Sequence, residues 1–237
     1  VLWFINVEWM CYLVGLGIIG LSMFLVMNEE LVAGILGPLG LLMFVFLVGY
    51  AITSLKSIER SRMLAAIYFI LAQIPFWALF EQAGSSLNLF TSRLVDRVIF
   101  GWSVPGPVFQ SLNAGFIFLF APVMAWLWIT LAKKNLNPST PVKFALGVAM
   151  AGFGFLVLVA GMKGSGPAAM TPVLFIFLIY WIHTIGELMV SPVGLSVVTK
   201  LAPINMVGMT MGAWFLYGGI SNFLAGGISR ATSAETI

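Results

Sequence analysis

The feature that most constrains this sequence is a succession of apolar runs, each about 20 residues long, separated by short charged or Gly- and Pro-bearing turns. A run of that length crosses the roughly 30 Å hydrocarbon core of a bilayer as a helix rising 1.5 Å per residue. The runs lack the alternation of apolar and polar residues that a membrane β-barrel strand requires. Composition points the same way. Of 237 residues, 61% are hydrophobic and 8% are charged, whereas a soluble domain carries about 25% charged residues. So few charges cannot build a water-facing surface, and the fold class is therefore all-α integral membrane.

Seven spans are expected: Val7–Met27, Leu31–Leu55, Met63–Ala83, Phe109–Leu131, Val142–Met162, a segment from about Pro172 to Lys200, and Asn205–Ile228. The first two are nearly devoid of polar residues and read as a lipid-exposed hairpin without chemistry. The segment Gly84–Pro107, with Gly101, Pro105, Gly106 and Pro107, reads as a long loop, and Lys163–Pro167 as a glycine-rich one. Gly208 and Gly212, four residues apart, permit close helix approach in the last span. The sequence starts and stops inside apolar stretches, as a piece of a larger protein would.

Loop charge orients the spans. Seven of the 11 Lys and Arg residues fall on one side (Lys56, Arg60, Arg62, Lys133, Lys134, Lys143, Lys200) and four on the other (Arg93, Arg97, Lys163, Arg230). The positive-inside rule puts the first set in the cytoplasm. The sixth span then runs inward and the seventh outward.

The composition also excludes several functions. Cys11 and His183 are the sole residues of their types, so neither a metal-ligand cluster nor a Cys/His nucleophile pair is expected. Basic residues sit singly in loops and do not form a nucleic-acid patch. No phosphate-binding loop, catalytic triad or paired-carboxylate arrangement is visible, so the chain is not expected to be an enzyme.

Ionisable residues inside a span are costly and are candidate functional residues for that reason. Glu187 is the foremost, roughly 20 Å of helix from either end of its segment. Pro192 follows five residues later and removes the helical partner of the Leu188 carbonyl. A broken helix beside a buried carboxyl predicts a polar cavity. His183, Glu187 and Ser191 are spaced four apart, on one face of a helix. A carboxylate with a hydroxyl one turn away suits an ammonium group, whereas His183 reads more readily as a packing residue. Glu81, in FWALFEQAGSSLNLF, is the second intramembrane acid and is suited to alternate between a protonated and an ion-paired state. Asn113 offers donors and an acceptor to a charged terminus, and Trp214 an aromatic wall.

Three stretches carry a family resemblance: Phe76–Phe90, SLNAGFIFLFAPVMAWLW (Ser111–Trp128) and GELMVSPVGLSVVTKLAP (Gly186–Pro203). Together they resemble the C-terminal half of the proton-dependent oligopeptide transporters of the major facilitator superfamily, the bacterial dipeptide and tripeptide permeases in particular. The resemblance implies that residues 1–60 hold two extra helices linking the transporter halves. Residues 61–237 would be the C-terminal bundle, about five core helices with the last one absent. It implies proton-coupled import of di- and tripeptides by alternating access across a bacterial inner membrane. The proton gradient would be the driving force, with no cofactor. Implied partners are peptides, protons, the N-terminal half of the same transporter and the bilayer, with no nucleic acid. By the same resemblance, Glu187, Asn113, Ser191 and Trp214 bind substrate and Glu81 serves proton coupling and the outer gate. The rival readings are a carrier of another small zwitterionic or cationic solute, or a helical membrane scaffold without transport.

Overall fold

The computed structural model describes residues 6–166 and 169–234, with side chains up to Thr232. Seven long helices dominate it. They are α1 (Val7–Met27), α2 (Glu29–Ser54), α3 (Ser57–Phe80), α5 (Ser111–Lys133), α6 (Thr140–Ser165), α7 (Leu174–Leu201) and α8 (Val207–Ala234). A nine-residue helix, α4 (Ser86–Leu94), lies between α3 and α5. Six spans are long and apolar enough to cross a membrane. Helix α8, equally long, carries Thr210, Ser221, Asn222 and Arg230 along its length. The expected spans correspond to these helices to within a few residues, except that α3 begins six residues earlier than expected, at Ser57, and α8 ends six residues later, at Ala234.

The segment read as a loop from Gly84 to Pro107 holds more structure than expected. A 3-10 turn, Glu81–Gly84, leads into α4, which buries Leu87 and Thr91, one turn apart. The apolar face of α4 is too short and too interrupted to stand out in the sequence. Beyond it, β2 (Val98–Ile99) and β3 (Trp102–Ser103) form a small antiparallel hairpin. Its two turn residues, Phe100 and Gly101, both have positive φ, 51° and 81°, as a two-residue hairpin turn of the I′ kind requires. Pro167, the end of the expected Lys163–Pro167 loop, lies outside the described residues. The rest of that loop departs from expectation, because α6 stays helical through Ser165.

Contacts far apart in sequence reproduce the alternation of the loops. At one end, β1 (Val95–Asp96) pairs with β4 (Thr171–Pro172), and Arg230 lies 3.3 Å from Glu29. At the other end, Asn205 donates to the Tyr50 hydroxyl at 3.0 Å, and the Lys143 ammonium sits 4.2 Å from the centre of the Trp128 ring. The two ends are the two sides assigned from loop charge.

The expectation of a fully lipid-exposed hairpin holds for α1, which buries no residue, but not for α2. Helix α2 buries Gly40, Leu47 and Ala51. The Tyr217 hydroxyl of α8 donates to the Gly40 carbonyl at 2.8 Å, and Ile220 fills the space a side chain at Gly40 would need. Helix α2 is thus part of the bundle. Its one-sided seam is invisible to a reading based on polarity, because small and apolar residues line both faces.

In lipid, helices gain little from excluding water and associate through close packing of small residues. The α6–α7 seam is built this way. A methyl group at Gly147 would lie 2.8 Å from the Gly186 carbonyl oxygen, and one at Gly186 would lie 2.9 Å from that of Gly147. The pair lets the two backbones touch near mid-span. Gly208 and Gly212, which permit such an approach, have no neighbour within 4 Å of an added methyl among the described residues. Nor does α7 break at Pro192. It is continuous from Leu174 to Leu201, with Val190, Gly194 and Val198 buried on either side of the proline. Neighbouring helices hold a proline-bearing membrane helix in line despite the lost donor.

Candidate functional site

The backbone contact at Gly186 determines where the next residue points. One step along a helix turns a side chain by about 100°. With Gly186 pressed on α6, Glu187 turns away from α6 and meets α5. There its carboxylate oxygen Oε2 accepts a hydrogen bond from Asn113 Nδ2 at 2.8 Å. The same nitrogen donates to Thr184 Oγ1 at 3.1 Å. Thr184, fully buried, donates in turn to the Tyr180 carbonyl at 2.7 Å. Glu187 and Asn113 are both half-buried. Two side chains more than 70 positions apart thus form a polar pair in an otherwise apolar setting.

Toward the Lys200 end of α7 from this pair lies a cleft of about 550 Å³ between α5, α6 and α7, whose lining includes Met124, Trp128, Lys143, Leu188, Pro192 and Lys200. Ser191, half-buried, follows Glu187 by one turn of α7.

Glu81 opens the 3-10 turn at the end of α3 and is half-buried. Its neighbour Gln82 fixes the turn. Gln82 Nε2 donates to the carbonyls of Ala78 at 3.0 Å and Ala225 at 3.1 Å. Its Oε1 accepts from Ser86 at 2.6 Å and Ser85 at 3.3 Å. All four hydrogen-bonding positions of the amide are used, and α3 is tied to α8 at the base of Glu81.

His183 belongs to the packing. It is 2% exposed, its Nε2 lies 2.9 Å from the Ala151 carbonyl oxygen, and its ring sits between Phe155 and Phe80. It therefore faces α6 and does not share the environment of Glu187. A spacing of four drifts about 40° per step around a 3.6-residue helix, enough to separate them. The stripe that stays together is Tyr180, Thr184, Glu187 and Ser191, spaced 4-3-4. That spacing was available in the sequence and would have added Thr184 to the candidates.

Trp214 is 4% exposed, and its indole packs directly on Gly194 of α7. The buried Gln73 side chain donates to the Trp214 carbonyl at 2.9 Å and accepts from Trp77 Nε1 at 3.1 Å. In this conformation Trp214 belongs to the seam between α3, α7 and α8. Among the described residues, no group of His, Cys, Asp and Glu is placed to hold a metal ion.

Residues 40–237 match the POT family. The chain belongs to that family. Among POT relatives it is 37% identical over 215 residues to the peptide transporter YePEPT of Yersinia enterocolitica, covering 90% of this chain and 42% of the relative. It is 32% identical over 209 residues to dipeptide and tripeptide permease A of Escherichia coli, covering 88% of this chain and 41% of the permease. Its fold superposes on the crystal structure of peptide transporter POT in complex with sulfate with a TM-score of 0.75 at 31% identity, over 94% of this chain and 46% of that one. A POT family transporter in complex with 5-aminolevulinic acid gives a TM-score of 0.76 at 27% identity, over 96% and 48%. The chain therefore spans less than half the length of the relatives it matches. Those relatives are transporters and not enzymes, and this chain is a multi-pass membrane segment of their kind.

Proposed function

We propose that this chain is the C-terminal part of a proton-coupled importer of di- and tripeptides working by alternating access in a bacterial inner membrane. The observation that carries the reading is the hydrogen bond joining Asn113 and Glu187 across α5 and α7. It holds a half-buried carboxylate at mid-span with capacity to spare for a ligand. An ammonium group entering there gains a charge-assisted bond in a low dielectric. Peptides carry that group at one end whatever their sequence, so a carrier reading it, together with the backbone, tolerates varied side chains.

In this reading α1 and α2 are the helices that link the two halves, and α3 and α5–α8 are core helices of the C-terminal bundle. The N-terminal half supplies cations for the peptide carboxylate, and the two halves rock about the mid-span site. Glu187 and Asn113 hold the amino end. Ser191 lines the site one turn inward, and the adjoining cleft offers room for peptide side chains. Trp214 walls this space once α8 moves away from Gly194. Glu81 forms an ion pair on the outer side when ionised and releases it when protonated, with the proton gradient as the driving force. Coupling requires the proton and peptide to favour different conformations, because equal affinity for both states shifts nothing.

A relative bound to 5-aminolevulinic acid favours a second reading, in which small amino-carboxylates other than peptides are also carried. They present the same ammonium to Glu187. A scaffold without transport is disfavoured, because Glu187 is neither fully packed nor turned into lipid.

The test is uptake by the full-length protein in proteoliposomes. Glu187→Gln should abolish dialanine uptake with the protein still folded; uptake at the wild-type level in that variant rejects the reading. Glu81→Gln should retain counterflow and lose accumulation driven by a pH gradient. Undiminished accumulation rejects the coupling role.

A further inference from the structure

We infer that Thr184 is a positioning residue for the amino-end site. It fixes the Asn113 amide so that the amide oxygen, and not its nitrogen, is presented to the substrate. The inference rests on the amino-end reading of Glu187 given above and specifies what that site selects.

The argument is one of hydrogen-bond polarity. A threonine hydroxyl has one hydrogen to donate. That of Thr184 is spent on the Tyr180 carbonyl, 2.7 Å away within the same helix. Toward Asn113 the hydroxyl can therefore only accept. An ionised Glu187 also only accepts. Asn113 thus faces two acceptors, at 3.1 Å and 2.8 Å, and must turn its NH2 group to both. The flipped amide would set its oxygen against a carboxylate and a hydroxyl with no hydrogen to give. Both amide hydrogens are then engaged, and Oδ1 remains as the free acceptor beside the Glu187 carboxylate.

Two acceptors side by side suit a group with at least two N–H donors. A primary ammonium satisfies both at once. A tertiary ammonium has one N–H and leaves one acceptor unmatched in a low-dielectric site, where an unmade bond is costly. Glu187 alone would attract any cation through its charge. The Asn113 oxygen, held in place by Thr184, adds the requirement for a free, unalkylated amino terminus. Without the Thr184 acceptor, one bond anchors the amide and its oxygen is no longer held toward the ligand. Thr184 is fully buried and need not touch the substrate, so it acts through Asn113.

The experiment uses the full-length transporter in proteoliposomes. Competition by dialanine and by N,N-dimethyl-dialanine is measured against labelled dialanine uptake. Thr184→Val removes the acceptor at nearly constant volume. It should raise the KM for dialanine roughly tenfold, the worth of a charge-assisted hydrogen bond, and leave the dimethyl competitor almost unaffected. Thr184→Ser restores the hydroxyl and should rescue the preference for the primary amine. If the Val variant does not reach the membrane, Thr184→Ala gives the same readout. An undiminished preference in the Val or Ala variant overturns the assignment. So does an equal loss in the Ser variant, which would point to methyl packing. Glu187→Gln, run in parallel, separates the two levels. Wild-type dialanine uptake there rejects the amino-end reading itself, whereas lost uptake in Glu187→Gln beside an undiminished primary-amine preference in Thr184→Val rejects the positioning role alone.

Discussion

Two buried polar clusters sit on neighbouring helices and differ in how far their hydrogen-bonding capacity is used. Gln82 is 1% exposed and engages both donors and both acceptor positions, tying α3 to α8. Glu187 and Asn113 are half-buried and keep acceptor positions unused, Asn113 at Oδ1 and Glu187 at the oxygen not bonded to Asn113. Both clusters are expensive in a membrane, where an unmatched polar group has no water to turn to. The first offsets that cost internally and is architecture. The second leaves acceptors for the donors of a ligand, as the proposed amino-end site requires. Spare capacity, more than polarity or depth, separates a binding group from a strut.

The comparison is sharpest when both clusters are broken in the same full-length protein. Glu187→Gln should produce the largest functional effect, a loss of dialanine binding of about 100-fold or more, since removing one partner of a buried charged bond costs about 2–5 kcal/mol. Its thermal midpoint in detergent without ligand should stay within a few degrees of wild type. A large drop would place Glu187 among the struts. Gly186→Leu breaks the seam that aims Glu187. A leucine there has no room against Gly147, and overpacking costs about 1–3 kcal/mol or more. Reduced yield of monodisperse protein would show it by size-exclusion chromatography.

Gln82→Leu should show the reverse of the Glu187 variant, a stability loss of about 1–3 kcal/mol read by thermal unfolding. Binding in the folded fraction should be little changed. Retained stability would deny Gln82 its structural role. Tyr217→Phe deletes the bond from α8 to α2 and should cost about 1 kcal/mol. Cysteine crosslinking between Gly40 and Ile220 would report whether the hairpin still docks. Arg230→Ala should have the smallest effect, because its pair with Glu29 is solvent-exposed and such pairs contribute about 0–1 kcal/mol.

Much of the candidate site was legible because the membrane makes charge conspicuous. Glu81 and Glu187 stand out against apolar surroundings. The alternation of the loops between two ends agrees with the contacts of Arg230 with Glu29 and of Asn205 with Tyr50. Uncharged polar residues were harder to rank. Gln82 and Thr184 look alike as isolated symbols, and one is a strut while the other holds Asn113 in place. Glycines are hard to rank for a similar reason. Gly208 and Gly212 have the expected spacing but no neighbour, whereas Gly147 and Gly186 have no shared motif and touch. A seam is a property of two helices, and one helix's sequence records only half of it. Pro192 shows the same limit, since the helix expected to break there stays continuous from Leu174 to Leu201.

Sequence alone determined that this chain is a bundle of membrane helices, which of their ends lie together, and which acids lie within them. Hydropathy and charge act residue by residue, so they survive in a linear reading. Tertiary structure decided where those residues point. The Gly147–Gly186 contact turns Glu187 toward α5 and His183 into the packing. It also brings Asn113 and Thr184 to one carboxylate, α2 to α8, and the Trp214 indole onto Gly194. Orientation about a helix axis is set by the partner it packs against, and that partner lies dozens of residues away.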